Sequence, residues 1–263
     1  MDPAQGEFWA GQPGGRGGKI RFANHHGACQ VDTEVEPPDR DPLNSGFFTL
    51  REAARLIGPQ MGKRLGRWLD TKHSGRLGPV ILGDFGGSEL SFLDLMEVRF
   101  VAHFRHQGVS MPTIRRAAES LRREWGVRHP FAKAESAGYL TDRRRIFAQA
   151  ARETGDALTI DLANNQLVMW AAIEASVAEG VDFHPLSEMA MCWHPRPQAC
   201  PGVRVDPRLA FGQPVVGEKP IPTMTLFRHW QAEGGTVVRV AQWFRTTENE
   251  VAQAVAFEQL LAA

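Results

Sequence analysis

No stretch of this chain approaches the ~20 consecutive apolar residues that a helical membrane span requires, so no membrane partner is expected. Cysteine is scarce: Cys29, Cys192 and Cys200 are the only three in 263 residues. They are too few and too scattered for a disulfide framework, so a reducing, cytoplasmic setting is the expectation. Residues 1–18 are rich in Gly and Pro and contain no apolar segment, so no secretory leader is expected. Net charge is absent as well, with 30 Lys and Arg against 30 Asp and Glu. The usual catalytic signatures are missing: there is no nucleotide-binding glycine loop, no His-Glu-x-x-His pair and no nucleophile elbow. The chain therefore reads as a non-enzyme, and no cofactor is expected.

What is present is an uneven distribution of charge in an ordinary globular composition, 43% hydrophobic and 23% charged. Residues 47–129 carry 14 Lys and Arg against 8 Asp and Glu, whereas residues 130–200 carry 6 against 9. A polyanion is steered by the local field, so zero total charge does not exclude nucleic acid.

Residues 1–46, rich in Gly, Pro, Asp and Glu and without period, read as a disordered arm. From Phe47 the pattern becomes regular. Thr49-x-x-Glu52 is a capping box, Phe48 a hydrophobic staple, and Leu50, Ala53, Ala54 and Ile57 an apolar stripe ended by Gly58-Pro59. A second short helix runs from about Met61 to Asp70, with Leu65, Trp68 and Leu69 inward and Lys63, Arg64 and Arg67 outward. Pro79-Val80-Ile81-Leu82 and Glu89-Leu90-Ser91-Phe92 flank a glycine-rich tip, which predicts a hairpin wing. Ser91 caps a long helix to about Gln107, with Phe92, Leu95, Met96, Phe100, Val101 and Phe104 on its buried face. Ser110 caps the next helix, with Pro112 in its first turn. Asp94 and Glu97 share a helix face and read as solvated acids rather than a catalytic pair.

The segment 130–202 reads as a small β-containing linker or dimerisation region. Ala157–Leu162 and Gln166–Trp170 flank Ala163-Asn164-Asn165 as a predicted hairpin, with Arg145–Ala148 as another strand. Residues 203–263 predict three helices, about Met224–Ala232, Val237–Phe244 and Glu248–Ala262, the last opened by a capping box at Thr247-x-x-Glu250. The final helix carries no Lys or Arg, so it reads as a surface for partner binding or dimerisation. Its apolar candidates, with those of the two helices before it, are Leu226, Trp230, Trp243, Phe244, Val251 and Val255. The fold class expected is mainly α with a small β component. Neither metal-like set, His25-His26 with Cys29 or Cys192 and His194 with Cys200, has zinc spacing, so no metal is expected.

Residues 48–125 resemble the MerR-type winged helix-turn-helix. The resemblance rests on Phe48-Thr49-Leu50-Arg51-Glu52-Ala53-Ala54-Arg55-Leu56-Ile57-Gly58, the basic helix ending Arg67-Trp68-Leu69, the wing, and the step Gly108-Val109-Ser110-Met111-Pro112. The chain departs from that family in its Gly-rich turn, Gly58-Pro59-Gln60-Met61-Gly62, and in lacking a long coiled-coil helix. Residues 203–261 resemble a small helical domain of VapB-type antitoxins through Asp206-Pro207, Phe211-Gly212-Gln213-Pro214-Val215-Val216 and Ile221-Pro222-Thr223. Together the two resemblances imply a dimeric DNA-binding antitoxin that represses its own operon, is nucleoid-associated, and neutralises a PIN-like ribonuclease toxin. The alternative is a stand-alone MerR-like regulator whose last domain serves oligomerisation. On the DNA readings, Arg64 and Arg67 reach base edges or phosphates. Lys63 touches a phosphate, Arg51 and Arg55 clamp the backbone, Arg76 with the Gly83–Gly87 tip sits at the minor groove or its phosphates, and Lys72 is a further DNA-binding residue.

Overall fold

The computed structural model describes residues 45–58, 61–69, 78–85, 89–134, 137–165 and 175–262. The chain is mainly helical with small antiparallel sheets. A two-residue strand, β1 (Phe48–Thr49), runs straight into α1 (Leu50–Ile57). The Thr49 amide donates to Glu52 Oε2 at 2.8 Å, and the Glu52 amide returns to Thr49 Oγ1 at 3.2 Å. Two otherwise unpaired amides at the helix start are thereby satisfied. Ala53, Ala54 and Leu56 are buried. The turn to α2 (Gly62–Leu69) is closed by Gly58 N–H to the Ala54 carbonyl at 2.8 Å and Met61 N–H to the Gly58 carbonyl at 3.0 Å.

β2 (Glu89–Leu90) precedes α3 (Phe92–His106), which opens on the Ser91–Asp94 capping box. α4 (Met111–Trp125) opens on Ser110 and ends at Gly126, whose φ of 65° lies in the left-handed region that glycine tolerates. A 3-10 turn (Pro130–Ala132) leads to α5 (Ala137–Thr154) and α6 (Ala157–Asn165). A hairpin of β3 (Val181–Phe183) and β4 (Ala190–Trp193) follows. Then come β5 (Val203–Arg204), β6 (Val215–Val216) and β7 (Ile221–Pro222), paired in that order. The chain ends in α7 (Thr223–Ala232), α8 (Val237–Phe244) and α9 (Glu248–Leu260). Trp193 and Val205 exchange backbone hydrogen bonds of 2.9 and 2.7 Å, joining the hairpin to β5.

An aromatic cluster at the centre ties α3 to α5. The Phe100 ring stacks on Phe104 at 4.3 Å and on Phe131 at 4.2 Å, and Phe147 stands 5.1 Å from Phe104. The Arg143 guanidinium, buried with them, lies 5.3 Å from the Phe100 ring. The first and last parts of the chain are also joined. Phe47 N–H donates to the Phe211 carbonyl at 2.9 Å. Beside it Gly212 has φ 83°, and a Cβ there would come within 2.8 Å of Phe48 Cζ. Among the described residues no helix is long and apolar enough to cross a membrane.

Three expectations are corrected. Residues 157–165 are helix, not the first arm of a hairpin. Asp156 caps them, accepting from the Thr159 amide at 3.1 Å and the Thr159 hydroxyl at 2.8 Å, and this local signal outweighs β-propensity. The proposed second arm, residues 166–170, lies outside the described residues. Arg145–Ala148 is helical within α5, because Ile146, Phe147, Ala150 and Ala151 follow a helical period and are buried where α5 packs on α4 and α6. Among the described residues of 130–202, α5 and α6 precede a small sheet, the hairpin at 181–193. Finally, β2 pairs with β1, Phe48 facing Leu90, rather than with residues 79–82. Those residues form no strand, and Val80 and Ile81 are buried. Residues 86–88, at the tip of the expected wing, lie outside the described residues, as does the arm 1–44.

Candidate nucleic-acid interface

α2 has two unlike faces. Leu65 and Trp68 are buried, while Arg64 and Arg67 are exposed. Three residues apart, the two arginines share one helix face. Arg51 is exposed on the neighbouring α1. Among the described residues none pairs with the guanidinium group of Arg51, Arg64 or Arg67. Each is a planar fork of donors suited to a phosphate or to the O6/N7 edge of guanine. Lys72 and Arg76 lie outside the described residues, and so does the side chain of Lys63.

Arg55 is different. Its guanidinium is ion-paired with Glu258 of α9, and the Thr223 hydroxyl also donates to that carboxylate. It clamps one part of the protein to another, so its guanidinium is engaged within the protein. Arg122 is likewise engaged, donating to the Val80 carbonyl at 2.6 Å.

The partner-facing candidates divide too. Leu226, Val251 and Val255 are buried in the core of the C-terminal helices, because they occupy the inward stripe of α7 and α9. Trp230 is half-buried, stacked on Phe227 at 5.8 Å, and Phe244 is half-buried against His229 at 5.0 Å. Trp243 alone of the six is exposed, at 61%.

Behind the basic helix lies a buried polar cluster that the sequence reading missed. The segment 78–85 is strapped to its neighbours by Ile81 N–H to the Trp68 carbonyl at 3.4 Å and by the Arg128 guanidinium to the Gly83 carbonyl at 2.8 Å. At its end Asp84 meets His129, Nε2 to Oδ1 3.1 Å, with Arg128 Nε 3.0 Å from the same oxygen. Asp94 and Glu97 are fully buried beside His129, which corrects their reading as solvated acids. Burial disfavours the charged imidazole, but hydrogen bonding to Asp84 and the facing Glu97 carboxylate outweighs it, pushing the His129 pKa up to about 10. Burial also works against ionised Asp84, yet His129 and the Ser91 hydroxyl, with the charge of Arg128, hold its pKa down at about 2. The Asp94 carboxyl is raised by burial, against the amides of Asp84 and Ser91 that it accepts. The Ser91-x-x-Asp94 box locates Asp94 in the sequence; nothing local in the sequence brings His129 to it.

The metal-like set of Cys192 and His194 also changes membership. Asp182, not Cys200, lies beside His194, whose Nε2 is 3.4 Å from Asp182 Oδ2, and Cys192 is disulfide-bonded and supplies no thiolate ligand. Cys200 is buried and its thiol pKa raised by that burial.

No family model matches the chain, and no curated protein matches it. Among solved structures, the X-ray crystal structure of Rv2018 from Mycobacterium tuberculosis is similar. It is 23% identical with a TM-score of 0.57, across 80% of this chain and 96% of that one. At that identity the likeness speaks to the fold.

Proposed function

We propose that this chain is a DNA-binding repressor of antitoxin type. A dimer would read an operator through α2 and hold a PIN-like toxin ribonuclease with its C-terminal helices. One observation carries the DNA reading: Arg64 and Arg67 project from a helix whose opposite face, Leu65 and Trp68, is fixed in the core. A rigid rod with exposed cationic forks on one side is the geometry that major-groove recognition uses. The antitoxin part rests on the resemblance of residues 203–261, and exposed Trp243 supplies an anchor of the kind that dominates protein interfaces.

The test is a shift assay on the DNA upstream of this chain's own reading frame, repeated across salt concentrations. Arg64→Ala with Arg67→Ala should abolish the shift or reduce the salt slope by about two phosphate equivalents. Both side chains are exposed, so circular dichroism and the melting temperature should be unchanged. Unaltered DNA binding would remove α2 from the interface. Co-expression with the product of the adjoining gene separates the two readings. A stable complex with a small nuclease supports the antitoxin, and its absence leaves the stand-alone regulator, for which the Arg55–Glu258 bond is the relevant contact between the units.

A further inference from the structure

Residues 79–82 form no strand, so a backbone ladder does not fix the segment 78–85. Charged side chains fix it instead. The Arg122 guanidinium donates to the Val80 carbonyl at 2.6 Å, and that of Arg128 donates to the Gly83 carbonyl at 2.8 Å. The Asp84 amide donates to Asp94 Oδ2 at 3.0 Å. The Asp84 carboxylate takes three partners: His129 Nε2 at 3.1 Å and Arg128 Nε at 3.0 Å on Oδ1, and the Ser91 hydroxyl at 2.7 Å on Oδ2. Behind them stands the buried Glu97, its Oε2 3.6 Å from both Arg122 Nη2 and His129 Nδ1. Glu97 is thus shared between the cation that holds Val80 and the one that holds Asp84. The same segment meets the far end of α2. Ile81 N–H donates to the Trp68 carbonyl at 3.4 Å, and Leu69 Cδ2 lies 3.5 Å from where a Cβ on Gly83 would stand. Val80 and Ile81 are wholly buried. The last turn of α2, where Trp68 directly follows Arg67, therefore rests on a strap whose own place is set at Asp84.

We infer that Asp84 is a positioning residue for the DNA-reading face: held by His129, Arg128 and Asp94, it fixes the strap 78–85, and through the strap the end of α2 that carries Arg67. The inference rests on the reading of α2 as the helix that contacts DNA. A ladder spreads its strength over backbone bonds that a side-chain substitution leaves in place. This clamp converges on one carboxylate. Without it, His129 Nε2, in a side chain only 5% exposed, loses its hydrogen-bond partner, and Arg128 and the Ser91 hydroxyl lose theirs at the same place. Charge-assisted bonds of this kind are strong, and removing one partner leaves the others uncompensated. The sign of the effect is diagnostic. Asp84 carries a negative charge, which a phosphate backbone repels, so electrostatics alone predicts tighter DNA binding when it is removed. A loss of binding can come only through geometry.

The experiment uses the full chain and the duplex upstream of its own reading frame, with anisotropy titrations across salt and amide hydrogen exchange. Asp84→Ala should weaken DNA binding about tenfold, the worth of one misdirected bidentate contact. The salt slope should stay as in wild type, because no cation that meets a phosphate is lost. Exchange should quicken at 78–85 and in the last turn of α2, and remain unchanged in α5 and in α7–α9. Asp84→Asn keeps an acceptor oxygen for His129 and Arg128, so it should fold and show the same pattern at smaller amplitude. Asp156→Ala, a destabilising change at another cap, should leave the DNA affinity and the exchange of α2 unaltered. Equal or tighter binding by both Asp84 variants would overturn the inference. So would an equal loss in Asp156→Ala, which would make stability alone the cause. A folded wild-type chain that shifts no DNA is a separate outcome: it would remove the reading of α2, and this role with it.

Discussion

Arg55 and Glu258, 203 positions apart in sequence, are ion-paired across the junction between the first helix and the last. The side chain of Arg55 is 35% exposed and that of Glu258 only 1%, so the pair is anchored at its acidic end. Truncating the arginine leaves a buried carboxylate with the Thr223 hydroxyl as its remaining donor. Arg55→Ala should therefore cost about 1–3 kcal/mol, the solvent-exposed guanidinium reducing what a fully buried pair would show. Glu258→Gln should cost less, because its amide oxygen still accepts from Thr223. Urea denaturation of both single variants and the double variant measures the coupling. Additive losses would mean that the two groups do not interact.

Asp156 serves two helices at once. It accepts the Ser110 amide at 3.0 Å and the Thr113 hydroxyl at 2.8 Å beside the start of α4, and it caps α6 through Thr159. Asp156→Ala should destabilise by about 1–3 kcal/mol and should lower helicity by circular dichroism. Asp156→Asn, which retains an acceptor oxygen, should lose less.

Stability should fall at both ends of the pH scale, for different residues. Asp84 and Asp156 have pKa values held down at about 2, the latter because the Ser110 and Thr159 amides and the Thr159 and Thr113 hydroxyls outweigh burial. Their contribution is present above the ordinary aspartate pKa of ~3.9 and disappears as pH falls towards 2. His129 runs the other way. Its contribution is complete below the ordinary histidine pKa of ~6.5 and is lost as pH rises through about 10. Urea midpoints measured from pH 3 to 10 should show a plateau at weakly acid pH, and His129→Gln should flatten the alkaline limb. An identical alkaline slope in the variant would refute the assignment.

The aromatic stack around Phe100 should hold a large share of the packing energy. Phe100→Ala removes the ring that Phe104, Phe131 and the Arg143 guanidinium all face, and should cost about 3–5 kcal/mol. Phe100→Leu should recover part of it. Chemical denaturation provides the comparison.

Trp243 offers the opposite case. At 61% exposure its replacement by Ser should change stability by less than about 0.5 kcal/mol. If the C-terminal helices carry the partner surface, the same change should disrupt the complex or the dimer seen by light scattering. An unaffected complex would move the partner surface off α8.

The local features of this protein can be read from its residues in order. The capping boxes at Thr49, Ser91 and Thr247 locate three helix starts, and the stripe from Phe92 to Phe104 locates a buried face, because a cap and a helical period each need only neighbours along the chain. The basic outward face of α2 is legible for the same reason. The errors involve partners far away in sequence, the helix at 157–165 alone turning on a local cap, Asp156 to Thr159. β2 has two candidate mates of similar composition, and packing selects β1. Residues 145–148 are rich enough in β-branched and aromatic side chains to suit a strand, and they become helix because α5 packs on α4 and α6. Whether Asp94, Glu97 and Glu258 meet water or bind His129 and Arg55 depends on what the chain folds over them. Burial and electrostatics are properties of the assembled three-dimensional neighbourhood, and no window of sequence contains it.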